Sequence, residues 1–417
     1  MLPLTPHSAT RPVRGRSAGF SLIEIMVGMV IALLATIVMM NVFSMFEAQK
    51  RTTTGGSDLQ NNGAIALLSL KNEIEKAGYG VSDVDIMGCS LQLSPSITIP
   101  AIAPVIINPQ TSTSTASNTP LIPGADQNTD TLLVFYSNTN NMSEADALMS
   151  GAQSGVAMTT QLTPNSPLTY VVNDEVMTWP YGKIPPTCNL KVDTVTSITP
   201  TSQPQFLHLN QGIASSDLTS VDAIWKYGKI FNLGQSYTLE AFAIRNGNLT
   251  VCTFSATNDC TDPSKTNDST VWLPIGNDIV SMRAQYGRDD ASGDPVTTPQ
   301  HMSGMVNTYD QTTPLSGSAT YSCDWFRVRA VRIVLVGRNN QPNPLTVTTN
   351  DPKWAGTSTV INKNNQMCPR TSGADIDLSC TNTNLPPGFT WQNYRYKTFE
   401  TTISIRNVAM QGINVNC

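Results

Sequence analysis

The sequence predicts an α+β protein in which a long N-terminal helix packs on a mainly antiparallel β-sheet globular domain with long loops. A nearly unbroken apolar run, Phe20–Phe46, opens the predicted helix, and helical periodicity extends it to Ala77. Beyond residue 80 the chain is rich in Thr, Ser, Asn, Pro and Gly, and several short segments alternate apolar with polar residues. Such alternation between turn residues is typical of strands, and the composition favours an exported domain.

The apolar run contains about 27 residues, long enough to cross a bilayer as a helix. Arg11, Arg14 and Arg16 precede it, which places that end in the cytoplasm and the rest of the chain across the membrane. The run is too long for the core of a secretory signal peptide, and its length argues against a soluble core helix. A plain single-pass anchor leaves Glu24 unexplained, because a carboxylate at the bilayer centre costs about 2.5–3.5 kcal/mol, less near a helix end.

The outer part of the predicted helix is amphipathic. Leu67, Leu70, Ile74 and Ala77 recur at steps of three and four with charged residues between them. The pair Gly55–Gly56 leaves two alternatives, one continuous helix or two halves joined by a hinge. The predicted organisation is a leader at 1–19, a helix at 20–77 (20–46 transmembrane, 57–77 amphipathic) and a β-rich globular domain at 78–417.

The clearest strand signal is a hairpin, in which two alternating segments flank Asn246-Gly247-Asn248, since Asn-Gly supplies the positive φ angles of a tight turn. The predicted strands are Leu132–Tyr136, Tyr237–Arg245, Leu249–Phe254, Ile279–Arg288, Asp324–Gly337 and Lys397–Arg406, with weaker signals at Leu168–Met177 and Phe206–Leu209. Loops are predicted at about 90–165, with one or two short edge segments, and at 188–235 and 340–385.

Charge excludes one class of partner. The formal net charge is −5, and loss of residues 1–19 would make it about −8. No basic stripe remains to neutralise phosphates, so we expect no nucleic-acid partner.

The eight cysteines indicate disulfides, because none lies in a C-x-x-C motif and the chain has only three His. Cys252 with Cys260 and Cys368 with Cys380 are short-loop candidates, and pairing of each with a distant cysteine remains the alternative. The other candidates are Cys89, Cys188, Cys323 and Cys417.

No catalytic motif is present, and we expect neither enzymatic activity nor a cofactor. The weak metal candidate is the cluster Asp289, Asp290 and Asp294, whose carboxylates could hold calcium. Its spacing does not fit an EF-hand loop, so a solvated turn after a strand is the preferred interpretation.

The stretch from Gly19 to Glu24, preceded by a basic leader and followed by a long apolar helix, resembles the type IV prepilin motif. The resemblance implies that a prepilin peptidase cuts between Gly19 and Phe20 and N-methylates Phe20. Glu24 would then pair with the free α-ammonium of a neighbouring subunit, which neutralises both charges in the membrane and fixes the register. A pair within one chain, between Phe20 and its own Glu24, is the alternative in the monomer.

A narrower resemblance, to PilW-like minor pilins, rests on Ala77-Gly78-Tyr79, Gly88-Cys89, Asn277–Gly287, the segment after Cys323, and Phe399–Asn407. It implies a minor pilin that helps to initiate type IV pilus assembly, at or near the filament tip. The implied partners are other minor pilins and the major pilin, the prepilin peptidase, the inner-membrane assembly platform and a tip adhesin. The chain would start in the inner membrane with its C-terminal domain periplasmic and end in the pilus at the cell surface. A minor pseudopilin of a type II secretion system and a membrane-anchored adhesin or binding module are the alternatives.

Overall fold

The computed structural model describes residues 19, 21–112, 119–140, 144–149, 161–181, 188–199, 205–210, 228–255, 257–290, 302–314, 321–356, 376–379, 385–412 and 417. The chain divides into two compact units, Met1–Gly55 and Gly56–Cys417.

Three α-helices and seventeen strands are present in the described ranges. The helices are α1 (Leu22–Lys76), α2 (Tyr321–Phe326) and α3 (Arg406–Ala409). The strands are β1 (Ser90–Ser94), β2 (Ile97–Ile99), β3 (Val105–Ile107), β4 (Leu132–Ser137), β5 (Asp146–Ala147), β6 (Gln161–Leu162), β7 (Glu175–Trp179), β8 (Asn189–Thr199), β9 (Phe206–Leu209), β10 (Lys229–Gly234), β11 (Tyr237–Arg245), β12 (Asn248–Thr253), β13 (Leu273–Gly276), β14 (Ile279–Arg288), β15 (Thr308–Asp310), β16 (Val328–Arg338) and β17 (Tyr396–Ser404).

The strands form three sheets. The first has the order β2-β1-β8-β7-β10-β5, with β9 beside β8 and β6 beside β9. The second is β13-β12-β11-β4-β3 and the third is β15-β14-β16-β17. Every neighbouring pair is antiparallel except β1 with β8. The predicted α+β class, a long N-terminal helix with a mainly antiparallel β domain, is therefore confirmed.

Several strands have the predicted bounds or differ from them by one residue, and the hairpin turn explains one pair of them. Asn246 and Gly247 adopt φ angles of 51° and 71°, as the hairpin between β11 and β12 requires. β14 has the predicted bounds, and β4 extends the predicted strand by one residue to Ser137.

Four sequence predictions need correction. Asp324–Phe326 are helical in α2 rather than extended, since the amide of Arg327 bonds the carbonyl of Cys323 and closes the turn. Arg406 begins α3 and does not end a strand. The Leu168–Met177 strand is wrong in its first half, where a short 3-10 helix leads to Asn173 at a φ of 75° before β7 begins.

The fourth concerns loops, because the predicted loop at 188–235 contains β8 and β10 as well as the strand predicted at Phe206–Leu209, which is confirmed as β9 with those bounds. The region 90–130 holds three short strands, and one of them, β1, is internal to its sheet.

The core of the second unit contains a buried ion pair. Arg283 Nε lies 3.2 Å from Asp130 Oδ2, and both side chains are buried. Asp130 also accepts hydrogen bonds from the Ala284 amide at 2.9 Å, Gln311 Nε2 at 2.7 Å and Asn108 Nδ2 at 2.8 Å. The carboxylate is thus satisfied entirely by its own chain, as a buried charge requires.

Candidate functional site

The first part of α1 is apolar on every side. The segment Leu22–Glu47 spans 26 residues with a mean hydropathy of 2.6, and its residues 22–46 are exposed. A helix that is hydrophobic all round needs an apolar environment, and this one is long enough to cross a membrane. The segment is therefore compatible with a membrane anchor.

Polar groups inside the apolar segment are partly satisfied by the helix itself. Thr36 Oγ1 donates to the Ala32 carbonyl at 2.7 Å, and Ser44 Oγ donates to the Asn41 carbonyl at 2.9 Å. These bonds lower the penalty of placing hydroxyls in hydrocarbon. The backbone stays helical through Asn41 and through Gly55–Gly56, as the first of the two alternatives predicted.

Glu24 occupies the first turn of α1, where the partial positive charge of the helix N-terminus favours a carboxylate. The Ser21 amide donates to Glu24 Oε2 at 3.2 Å. Gly19 is exposed with open space around its Cα, and Phe20 lies outside the described residues. With only one hydrogen bond in the described chain, the carboxylate keeps lone pairs that can accept an ammonium donor.

The outer part of α1 is amphipathic, as its periodicity predicted. Its buried stripe is Leu59, Gly63, Ala66, Leu70, Ile74 and, just past the helix, Ala77. Gly63 is glycine for a steric reason, since a Cβ at that position would overlap the ring of Phe399 in β17. The same logic applies in β16, where a Cβ on Gly337 would overlap Leu59.

A clasp formed by α3 holds the C-terminal end of α1. Asn407 Nδ2 donates to the carbonyls of Lys76 and Ala77 at 2.9 and 3.0 Å, which satisfies two groups left open where the helix ends. Arg406 Nη2 lies 3.1 Å from Glu75 Oε2. In the sequence, Asn407 is conspicuous only as part of a family resemblance. Its contact with the end of α1 could not be predicted, because Lys76 and Ala77 are more than 300 positions away.

Polar side chains surround the clasp and line an open cleft of about 520 Å³. The Tyr136 hydroxyl donates to Glu73 Oε2 at 2.6 Å, and Lys76 Nζ donates to Glu73 Oε1 at 2.8 Å. The hydrogen bond to Glu73 raises the pKa of Lys76. Burial and then the charge of Glu73 raise the pKa of Glu240 in β11. Glu73 therefore holds Tyr136 and Lys76, two of the residues that line the cleft.

Three disulfides tie the second unit together in its described part: Cys89–Cys188, Cys252–Cys260 and Cys323–Cys417. The Cys252–Cys260 bond closes the short loop that the spacing allowed, and the other two join residues 99 and 94 positions apart. Cys368 and Cys380 lie outside the described residues.

The acidic cluster has structural contacts. Asp289 is buried, not solvated, and its carboxylate accepts from the amides of Ser303 and Gly304 and from Ser303 Oγ at 2.6–2.9 Å. The Asp290 amide donates to Asn307 Oδ1 at 2.8 Å, and Asp294 lies outside the described residues. In the ranges given above, no group of three or more His, Cys, Asp or Glu side chains could hold a metal ion.

The C-terminal half of the chain resembles a class of pilus-biogenesis proteins. A family model described as type IV pilus-assembly protein W matches residues 244–407, less than half of the chain. The matched stretch runs from the last residues of β11 through the third sheet to Asn407 of the clasp. No curated protein and no solved structure matches the chain. The match supports involvement in type IV pilus assembly and interaction with other pilus components.

Proposed function

We propose that this protein is a minor pilin that helps to initiate type IV pilus assembly, at or near the filament tip. It is a structural assembly protein and not an enzyme. A prepilin peptidase removes residues 1–19 and the new N-terminal residue, Phe20, is N-methylated. The chain waits in the inner membrane with its C-terminal domain in the periplasm, and it then moves into the pilus at the cell surface.

The single observation that carries the proposal is a lone carboxylate in the apolar helix of a chain whose residues 244–407 match a pilus-assembly family model. Glu24 is the only acid from Leu22 to Phe46, and the described chain gives it one amide donor. An ionised carboxylate in hydrocarbon costs about 2.5–3.5 kcal/mol on insertion scales if it has no partner. The Phe20 ammonium created by cleavage supplies that partner from a neighbouring subunit.

Pairing of this kind also selects register. The packing energy between two apolar helices changes little when one slides along the axis of the other. A charge pair in hydrocarbon forms at one axial position only. The subunit that carries Glu24 therefore fixes the axial position of its neighbour. The β domain then contacts other minor pilins, the major pilin and a tip adhesin.

Mass spectrometry of the mature N-terminus tests the processing step. We expect the chain to begin at Phe20 with one added methyl group, and a Gly19→Val variant to keep its leader. Recovery of wild-type protein that begins at Met1 would falsify this step. Ser21→Ala is the matched control, because it changes a neighbouring small residue but leaves the cleavage residues intact.

Deletion of the gene separates the functions that share this helix chemistry. A minor pilin predicts loss of surface pili, restored by the wild-type gene. Intact pili with a loss of exoprotein secretion would indicate a pseudopilin of a type II secretion system. Intact pili with lost attachment would indicate an anchored adhesin.

A further inference from the structure

β17 is an edge strand of the third sheet. It has nine residues and, among the described residues, pairs only with β16, in a register that runs without a shift from Ala330 opposite Ser404 to Arg338 opposite Tyr396. It contains no proline and no bulge. At about 3.4 Å per residue, roughly 30 Å of edge is available.

The other sheet edges in the described ranges are short or interrupted. The edge strands β2, β3, β5, β6 and β15 have two or three residues each. β13 has four, contains Pro274 and meets β12 with a register shift. Short strands, prolines and bulges are among the devices that protect edges from pairing with another chain. β17 has none of these three, and the charges that it carries are Lys397 and Glu400.

The hydrogen-bond pattern shows which residues of β17 face outward. The Ile405 amide donates to the Arg329 carbonyl at 2.8 Å, and at the other end the Asn339 amide donates to the Arg395 carbonyl at 2.9 Å. Residues 395 and 405 therefore point towards β16, and alternation makes the odd-numbered residues between them do the same. The even-numbered residues direct their N–H and C=O groups away from the sheet: Tyr396, Thr398, Glu400, Thr402 and Ser404. In the described part of the chain these groups meet no hydrogen-bonding partner.

We propose that this edge binds an extended segment of a different pilus subunit by β-strand addition, with main-chain hydrogen bonds to the even-numbered residues of β17. The inference rests on the proposed function, since it names how the β domain would hold a partner. The partner segment has apolar residues beside Phe399 and Ile403, on the face that packs against α1. On the other face it has a basic residue beside Glu400, an exposed acid whose carboxylate also accepts from the Ala355 amide at 3.2 Å.

A second copy of this chain is the less suitable occupant. Antiparallel pairing of β17 with itself needs a two-fold axis perpendicular to the sheet, so equivalent outward-facing residues of the two copies would meet across the axis. A register centred on Glu400 would also place two carboxylates directly opposite each other, which is destabilising.

Amide hydrogen exchange at single-residue resolution tests the proposal on the full-length chain. In the detergent-solubilised isolated chain, the amides of Thr398, Glu400, Thr402 and Ser404 are expected to exchange at least about tenfold faster than those of Phe399, Thr401 and Ile403. In sheared pili, or in the detergent-extracted membrane complex if the chain is not recovered in pili, the even-numbered amides slow by about tenfold or more. Equal exchange in the isolated and assembled states overturns the inference.

A matched pair of variants separates main-chain from side-chain recognition. Thr402→Pro removes one outward N–H, and proline is tolerated on an edge. We expect the amount of chain recovered in pili to fall at least about tenfold, because the proline removes one hydrogen bond to the partner strand and its ring blocks the approach of that strand. Thr402→Val keeps the N–H and assembles normally, and both variants unfold at the wild-type temperature. Equal defects in the two variants contradict strand addition.

Two further outcomes are distinct. Protection of the even-numbered amides in the isolated chain that grows with protein concentration assigns the edge to a second copy and contradicts the partner proposed here. Absence of the chain from pili, with its leader uncleaved, contradicts the proposed function. An unprotected edge in a correctly processed, pilus-incorporated chain contradicts this inference alone.

Discussion

Two carboxylates, Glu24 in the apolar part of α1 and Asp130 in the domain core, are both surrounded by apolar chain but have different partners. Asp130 accepts hydrogen bonds from Arg283, the Ala284 amide and Gln311. Glu24 has the Ser21 amide in the described chain. Both charges must be compensated in an apolar medium. Asp130 is compensated by groups of its own chain, whereas Glu24 needs a further donor from outside the described chain.

The surroundings of the two acids differ in the same way. Residues 22–46 are apolar around the helix apart from Glu24, and their side chains are exposed. Residues 59–77 present one buried stripe to strands of their own chain, and a clasp closes their end. A helix that is apolar on every side can be surrounded by lipid or by other helices. A helix with one apolar stripe packs that stripe against a single sheet. The comparison shows that one segment of α1 packs within the molecule, whereas the other is compatible with a membrane anchor.

The largest expected effect comes from breaking the self-contained ion pair. Arg283→Met leaves Asp130 buried without its cation, and the free energy of unfolding should fall by about 3–5 kcal/mol. Arg406→Met is the control, because its pair with Glu75 is exposed and should be worth less than about 1 kcal/mol. Denaturant unfolding of the detergent-solubilised chain measures both. Similar losses in the two variants would show that burial does not distinguish them.

The next effect is steric. Gly63→Val forces a side chain into the ring of Phe399 and should lower the free energy of unfolding of the domain by about 2–3 kcal/mol. Gly28→Val, in the first part of the helix, meets nothing within 4 Å and should leave the domain unchanged. Thermal unfolding followed by near-ultraviolet circular dichroism reports on the domain. A domain effect of Gly28→Val would contradict the division between the two segments.

A smaller loss is expected at the clasp. Asn407→Ala leaves the Lys76 and Ala77 carbonyls without their donor, and a hydrogen bond of this kind is worth about 1 kcal/mol. The expected signs are a slightly lower unfolding midpoint and faster amide exchange in the last turn of α1. Met410→Ala is the neighbouring control, since that side chain is 83% exposed. If Asn407→Ala has the same unfolding midpoint and amide exchange as Met410→Ala, the Asn407 hydrogen bonds do not stabilise the end of α1.

The smallest effect is a dependence on pH. Burial, then the charge of Glu73, raises the pKa of Glu240. An acid whose folded pKa exceeds its unfolded pKa disfavours folding once ionised, so stability from this group falls as pH rises through that interval. Glu240→Gln should therefore stabilise the protein at pH 7 and have no effect near pH 3, below the usual carboxyl pKa of about 4.3.

Asp262 is expected to change stability with pH in the opposite direction. The hydrogen bond from the Ser264 side chain lowers the pKa of Asp262, so its contribution to stability is present at neutral pH and is lost as pH falls through the lowered pKa. Asp262→Asn should destabilise at pH 7 and be neutral in acid. Denaturant unfolding at both pH values compares the two variants, and slopes of the same sign would contradict the assignments.

Local chemistry made part of the fold predictable from the sequence. Asn246-Gly247 gives the hairpin because few other dipeptides tolerate two positive φ angles. Leu70, Ile74 and Ala77 show the buried face of α1 because the helical period repeats within a short window. Glu24 is conspicuous because a lone acid contrasts with the apolar residues around it.

Long-range partners made the rest unpredictable. Asn407 contacts Lys76, 331 positions away, and nothing near either residue indicates the other. Cys323 pairs with Cys417 across 94 positions, one of many pairings that eight cysteines allow. Asp289 was expected in solvent, yet residues 303 and 304 cover it. β8 was missed because polar residues such as Lys191 and Thr194 conceal the alternation of a half-exposed strand.

The most direct test of the central claim is the amount of chain in sheared pili, by quantitative mass spectrometry, for Glu24→Gln and Glu24→Asp variants in a strain that lacks the wild-type copy. Glutamine keeps the shape but removes the charge, whereas aspartate keeps the charge. We expect both to begin at Phe20, Glu24→Asp to enter pili and Glu24→Gln to fall at least about tenfold, the equilibrium equivalent of 1.4 kcal/mol. Wild-type incorporation of the Glu24→Gln chain would contradict the claim that a neighbouring ammonium compensates this carboxylate.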